Sequence, residues 1–424
     1  MATPEQGANS HSSTAPLGEL GRLFLKLGCI GFGGPPAHMA LMSEAVVEQR
    51  QWLSAAEFAE GMAICEILPG PASTQLGIYI GYRRGGVLGG LLAGLCFIAP
   101  AFVLVVALSW AYFRFQGLPL TTGLMFGVKP VVVAAIAAFC WKLAHKTLKE
   151  PSHWAIAIAV VWAVLGLKLN MLLVFPLAGA VGMGLYGPWR SRGTGSGGLS
   201  GLLAWPALGE LTPGGILVIA PLLAVATAAD PLAVASFLGL ERIGEYGVEL
   251  VWFFLRAGSL VFGGGLTIVP LLEFEVVQGY GWLTQAEFLD GVAIGQLTPG
   301  PVLLTVAFVG YKVAGLLGAI AATVAAFLPS FGFILLASPL LVTLRSRPLV
   351  RAFLQGVTPA ALGAVAAASV SLVSSALVLE TGDPGRSLLA AGILVAAAIA
   401  LVRYRRPLWQ LLPIGGAIGL LVGG

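Results

Sequence analysis

The sequence predicts an all-α integral membrane protein with about thirteen transmembrane helices. These form two inverted-topology repeats, with discontinuous helices at Gly-Gly-Pro and Pro-Gly-Pro motifs. Three observations carry this. The 424 residues are 58% hydrophobic and 10% charged, with mean hydropathy +0.92. A soluble domain carries about 25% charged residues, so here lipid has to cover the apolar surface. The chain repeats itself at a nearly fixed offset. Its 58 glycines and 26 prolines fall inside apolar stretches as well as between them, which suits broken or closely packed membrane helices.

The first 19 residues are polar, lack a basic start and read as a disordered tail. Six spans follow, near 20–42, 58–82, 85–113, 121–146, 152–168 and 170–187, forming a first repeat over 20–187. A Gly/Ser-rich stretch and a connecting span near 213–230 occupy the linker, 188–247. Six more spans, near 248–271, 288–311, 314–344, 350–378, 386–402 and 407–423, form a second repeat over 248–424. With the N-terminus in the cytoplasm, fifteen of the 23 Lys and Arg fall inside, among them Arg83, Arg84, Lys142, Lys146, Arg403 and Arg405. Seven fall outside (Arg50, Arg114, Lys168, Arg242, Arg256, Lys312 and Arg386), and Lys129 stays within a span. The excess of positive charge inside supports that orientation.

The repeat is explicit. Phe24, Gly28, Phe32, Gly33 and Gly34 recur 230 residues later as Phe254, Gly258, Phe262, Gly263 and Gly264. Trp52, Glu57, Pro69, Gly70 and Pro71 recur as Trp282, Glu287, Pro299, Gly300 and Pro301. One deletion later the offset is 229, pairing Gly81 with Gly310, Tyr82 with Tyr311 and Pro130 with Pro359. Six spans, a connector and six spans make the second repeat enter from the opposite side, a common ground plan of secondary transporters.

Two motif pairs interrupt the helices. Phe32-Gly33-Gly34-Pro35-Pro36 is answered by Phe262-Gly263-Gly264-Gly265, and Leu68-Pro69-Gly70-Pro71 by Thr298-Pro299-Gly300-Pro301. Neither run can continue a helix. Unpaired backbone within a bilayer is tolerated only against protein or a wet cavity. The runs read either as packing kinks or as helix breaks whose half-helix N-termini, each worth roughly half a positive charge, meet an anion. Thr74, Gln75, Thr298 and Thr305 lie where they could add hydrogen bonds. Lys26 and its repeat partner Arg256 are basic candidates, against simple snorkelling to the headgroups. Lys129, inside a span with neutral Thr358 as its partner, is the better one. The acidic candidates for coupling or gating are Glu57 and Glu60, their partners Glu287 and Asp290, and Glu66, whose partner is Gln296. They would relay protons or pair with Lys26 or Arg256; the plain reading of Glu57 and Glu287 is a carboxylate at a helix start. His38 reads as a packed histidine, with a proton-linked role as the alternative.

Taken together these motifs resemble the chromate ion transporter family in its long, two-domain form. The carrying residues are Phe32-Gly33-Gly34-Pro35 with Ala37-His38, Trp52-Leu53 with Glu57-Phe58, Pro69-Gly70-Pro71 with Gly81-Tyr82-Arg83, and their second-half counterparts. The resemblance implies efflux of chromate from the bacterial cytoplasm, with sulfate as a similar tetrahedral oxyanion. A dianion leaving a negative-inside cell gains about 2 × 2.3 kcal/mol per 100 mV. Import or exchange of sulfate or another oxyanion on the same scaffold is the alternative.

Other classes fit less well. No Gly-x-x-x-x-Gly-Lys-Ser/Thr loop, His-Glu-x-x-His or Gly-x-Ser-x-Gly occurs, and a scaffold needs no matched helix breaks. Cys29, Cys65, Cys96 and Cys140 lack metal-ligand spacing and read as free thiols. The expectation is no enzymatic activity, no cofactor, no metal and no nucleic acid. The partners are an oxyanion and the lipid bilayer, and a homodimer is compatible with the pattern.

Overall fold

A computed structural model of the chain describes residues 16–66, 68–187, 231–261, 265–345, 347–378 and 384–423. Most of the expected tail, the Gly/Ser-rich linker and the connecting span near 213–230 lie outside them, as do Gly263 and Gly264. All regular elements among the described residues are helical. The first half contains α1 (Leu17–Ile30), α2 (Pro35–Ser43, continued by a π-helical turn, Glu44–Gln49), α3 (Ala55–Cys65), α4 (Ala72–Arg114), α5 (Pro119–Thr147), α6 (Pro151–Leu165) and α7 (Met171–Tyr186). The second contains α8 (Pro231–Leu238), α9 (Leu240–Ser259), α10 (Ile268–Leu272, with a π-helical turn Glu273–Gly279), α11 (Gln285–Leu297), α12 (Thr305–Arg345), α13 (Pro348–Val378), α14 (Pro384–Val402) and α15 (Leu408–Gly423).

Among the described residues, five helical stretches are long and apolar enough to cross a membrane: Ala72–Arg114, Pro119–Thr147, Val302–Leu336, Pro348–Val373 and Gly385–Val402. On α4, Leu88, Leu95, Val103 and Trp110 stay exposed at near-heptad spacing, and on α14 Leu388, Val395 and Ile399 do the same. Such apolar stripes need lipid against them. The chain is a multi-pass membrane protein.

The four spans expected at 20–42, 58–82, 248–271 and 288–311 are not single crossings. The breaks do more than interrupt a helix; the chain turns back at them. Helix α1 has 14 residues and α3 has 11, giving roughly 21 and 16 Å at 1.5 Å per residue, short of a ~30 Å hydrocarbon core. Arg50, just past α2, reaches Glu19 at the start of α1 (3.4 Å), so both arms of the first hairpin end together. Arg84 stacks on Trp52 beside them. Arg50 therefore lies at the Arg84 end of the molecule, not at the opposite end where counting full crossings had put it. In the second hairpin Gly61 on α3 lies against the Tyr79 ring, and Arg83 closes it on Glu57.

Helix α4 is itself bent. At Gly85 and Gly86 the backbone leaves helical geometry, Gly86 adopting φ 61°, ψ −153°. That conformation is essentially reserved for glycine. The bend folds the first arm, 72–84, onto the long arm so closely that Gly81 meets the Gly89 carbonyl. Helix α12 repeats the device at Ala314 and Gly315 (φ 58°, ψ −150°), with Gly310 against Gly318.

The halves interlock. Gly127 on α5 packs directly on Gly415 of α15, and Gly356 on α13 packs on Ala178 and Gly182 of α7. Small residues let these backbones approach. Each half thus supplies the long helix against which the other half's C-terminal helix pair rests. The α6–α7 pair closes on itself through Tyr186 and Ser152 (2.7 Å), and its connecting turn reaches the second half through Asn170 and Glu275 (2.6 Å).

Candidate functional site

The helix breaks of the two halves meet at the centre, and they meet reciprocally. The Gly70 N–H donates to the Val261 carbonyl at 2.6 Å, and the Gly300 N–H donates to the Gly31 carbonyl at 2.8 Å. Gly70 and Gly300 are repeat equivalents, as are Gly31 and Val261. Each Pro-Gly-Pro turn therefore clasps the end of the helix that precedes the other half's glycine motif. Glycine is required at the turns, where φ is 130° at Gly70 and 98° at Gly300. Pro69 and Pro71 frame the first turn, and Pro299 and Pro301 are buried around the second. Gly33 and Gly34 carry φ of 105° and 77° and lead into Pro35 at the first position of α2.

His38 sits at the same seam, 1% exposed. Its Nε2 lies 2.8 Å from the Gly31 carbonyl and its Nδ1 3.1 Å from Ser73 Oγ. A carbonyl only accepts, so Nε2 carries a proton. The ring packs edge-on against Phe97. This is the packed histidine of the plain reading, placed at the joint between the halves.

The charged candidates separate into an exposed set and a buried set. At the α3–α4 hairpin of the first half, Ser54 and Glu57 form a reciprocal helix cap, and Arg83 pairs with Glu57 at 2.6 Å in partial exposure. The cap's hydrogen bonds from the Ser54 backbone and hydroxyl, then Arg83, hold the exposed Glu57 carboxyl below its usual range. Glu60 is exposed, and Glu66 makes a long, exposed pair with Lys146 (3.8 Å). At the α11–α12 hairpin of the second half, Thr284 and Glu287 form the equivalent cap, with Lys312 on Glu287 at 2.6 Å. Here the surroundings close in. Gln116 approaches Glu287, and Phe113, Phe308 and Tyr311 pack together beside Lys312.

Deeper still, Lys129 of α5 pairs with Asp290 of α11 at 3.3 Å, both side chains under a tenth exposed. Tyr112 of α4 donates to the other Asp290 oxygen at 2.7 Å. Two expected site residues, one basic and one acidic, are brought together from different halves. Lys26 is exposed on the outer side of α1, and Arg256 stacks on Trp252. The expected pairing of carboxylates with Lys26 or Arg256 is replaced by Arg83, Lys146, Lys312 and Lys129. The reason is reach: the hairpin fold brings Arg83 and Lys312 back beside the helix-start carboxylates.

Sequence reading missed Tyr112, Gln116 and Lys312. Lys312 was findable, since it follows Gly310-Tyr311 as Arg83 follows Gly81-Tyr82. Tyr112 and Gln116 have no such signal, because their contacts cross between halves.

The profile of the chromate transporter family matches residues 18–183 and 248–420. The chain is 36% identical over 424 residues to the chromate transport protein of Cupriavidus metallidurans, covering 95% of this chain and 97% of that one. It is 36% identical over 357 residues to the probable chromate transport protein of Synechococcus elongatus, covering 84% of each. It is 32% identical over 373 residues to the chromate transport protein of Pseudomonas aeruginosa, covering 87% of this chain and 84% of that protein. No solved structure matches the chain. The chain belongs to the chromate transporter family.

Proposed function

We propose that this member of the chromate transporter family exports chromate across a bacterial inner membrane and so confers resistance to it. The two halves work by alternating access around the paired helix breaks. The single observation that carries this is the reciprocal clasp of Gly70 on Val261 and Gly300 on Gly31. It brings the starts of α2 and α4, and the turn opening α12, to one central locus, where helix N-termini favour an anion.

An inverted arrangement of the halves has further support. Glu57 and Arg83 of the α3–α4 hairpin lie where the long arm of α4 begins. Glu287 of the α11–α12 hairpin lies beside Gln116, just past the end of that arm. Arg242, at the start of α9, reaches the Lys312 carbonyl there as well. The excess of basic residues near the Arg83 end supports placing that end, and the N-terminus, in the cytoplasm.

On this reading the described conformation is closed at the outer end and open towards the cytoplasm. Asp290 is 4% exposed while its repeat partner Glu60 is exposed, and Glu287 is 9% exposed while the Glu57 side chain is 38% exposed. The Lys129–Asp290–Tyr112 cluster is the lock, and opening outward has to break it. An anion leaving a negative-inside cell gains about 2.3 kcal/mol per charge per 100 mV, so potential alone can drive export.

The test is chromate uptake into inverted membrane vesicles under an imposed potential, for the native protein and Asp290→Asn. Uptake that follows the potential and falls with Asp290→Asn is the expected result. No uptake under either a potential or a proton gradient would remove chromate export.

A further inference from the structure

The two Pro-Gly-Pro turns are alike in backbone and unlike in chemistry. At the second, the hydroxyls satisfy themselves: Thr298 donates to the Gly295 carbonyl and Thr305 to the Val302 carbonyl, each at 3.0 Å. Ala101 lies against Gly300. At the first turn, the residue against Gly70 is Ser330, the repeat partner of Ala101. Thr74 and Gln75 there are 0% exposed, and among the described residues neither Thr74 Oγ1 nor Gln75 Oε1 has a hydrogen-bond partner. Buried polar atoms of this kind require an explanation.

The orientation of Gln75 is fixed by chemistry. Its amide lies 2.7 Å from the Pro69 carbonyl, which only accepts, so the NH₂ group faces Pro69 and Oε1 faces away. The side chain folds back over Gly70, at the N-terminal end of α4. Helix α4 starts at Ala72 with no side-chain cap, so its first N–H groups lack intrahelical partners and the end carries partial positive charge. The locus therefore combines donors for an anion with one acceptor that no bare oxyanion can satisfy. A cation would suit Oε1 but not the helix end. A monoanion that still carries a proton suits both.

Building on the transport reading above, we propose that the first Pro-Gly-Pro turn is the oxyanion subsite and that it takes the singly protonated form. The α4 N–H groups, Thr74 and Ser330 donate to the ligand oxygens, and the ligand O–H donates to Gln75 Oε1. Chromate's second ionisation lies close to neutral pH, so hydrogen chromate is available in the cell. Phosphate also keeps a proton there, and sulfate does not. The selection is thus for oxyanions that hold a proton, and the second turn is not a second site.

The test is equilibrium binding of radiolabelled chromate to the purified full chain, with unlabelled phosphate and sulfate as competitors, across a pH range spanning chromate's second ionisation. Above that ionisation, affinity should fall about tenfold per pH unit, as linkage to one proton requires. Phosphate should displace chromate better than sulfate. Titratable groups on the packed elements are His38 on α2, which holds Ser73, and Cys65 and Glu66 at the end of α3, Glu66 facing Lys146. If His38 protonation caused the slope, sulfate would tighten equally at low pH, and that result overturns the proposal.

Gln75→Met should lower chromate affinity about tenfold, the scale of one hydrogen bond to a charged ligand, and shrink the preference over sulfate. Ser330→Ala, which installs the residue its repeat partner already has, should weaken all oxyanions without changing that preference. Chromate binding with no pH dependence, or displaced by sulfate as well as by phosphate, overturns the subsite while leaving chromate transport standing. Absence of chromate binding at every pH overturns both.

Discussion

Lys129 and Asp290 show how a single charge reads differently in a sequence and in a fold. Lys129 stands alone in an apolar span, which makes it a candidate for holding an anion. In the fold its charge is matched by Asp290 from the other half, with Tyr112 on the second oxygen. Removing one partner of a buried pair leaves the other uncompensated, at about 3–5 kcal/mol. Lys129→Ala should therefore lower the thermal unfolding temperature of the purified protein. The apolar double replacement, Lys129→Met with Asp290→Leu, should recover most of the loss. Transport should stay impaired in both, because a permanently apolar contact no longer opens and closes as a matched pair. A double variant as unstable as the single one would remove the pair as the cause.

Elements are held by backbone geometry more than by charge. Gly86 and Gly315 both have positive φ, but they differ in surroundings. A side chain on Gly86 would meet open space, whereas one on Gly315 would meet Phe237 and Gly239. Gly86→Ala should thus cost only backbone strain, roughly 1–3 kcal/mol, and Gly315→Ala distinctly more. Gly244→Ala, in an open position on α9, should be neutral or stabilising by up to about 1 kcal/mol. Unfolding temperatures of the three variants check the order. The helix breaks themselves were legible, because Pro-Gly-Pro and Gly-Gly-Pro forbid a continuous helix wherever they occur. Their consequence was not. A break that kinks a crossing and a break that reverses it have the same local sequence. The difference lies in contacts such as Arg50 with Glu19, distant along the chain. The repeat was legible for the same local reason, and the clasp of Gly70 on Val261 was not, because backbone hydrogen bonds leave no residue-type signature.

At the scale of the whole molecule, the arrangement follows from two similar halves that each leave a long helix uncovered. Each covers the other's, Gly127 on Gly415 and Gly356 on Gly182, so neither half is a self-sufficient unit. With two hairpins per half returning to their own end, the proposed arrangement has an even number of full crossings per half. An odd number of crossings between the halves, as the sequence predicts, would then set the second half upside down. Glu48 and Gln278 are exposed repeat equivalents just before the Trp-Leu motif of each half. In a background with Cys29, Cys65, Cys96 and Cys140 replaced, Glu48→Cys and Gln278→Cys should react with a membrane-impermeant maleimide from opposite faces. Glu48→Cys should label only in inverted vesicles and Gln278→Cys only in right-side-out ones. Labelling of both from one face would mean parallel halves. The lock at Lys129 and Asp290 would then share a membrane face with Glu57 and Arg83, and alternating access between mirrored ends would lose its geometric basis.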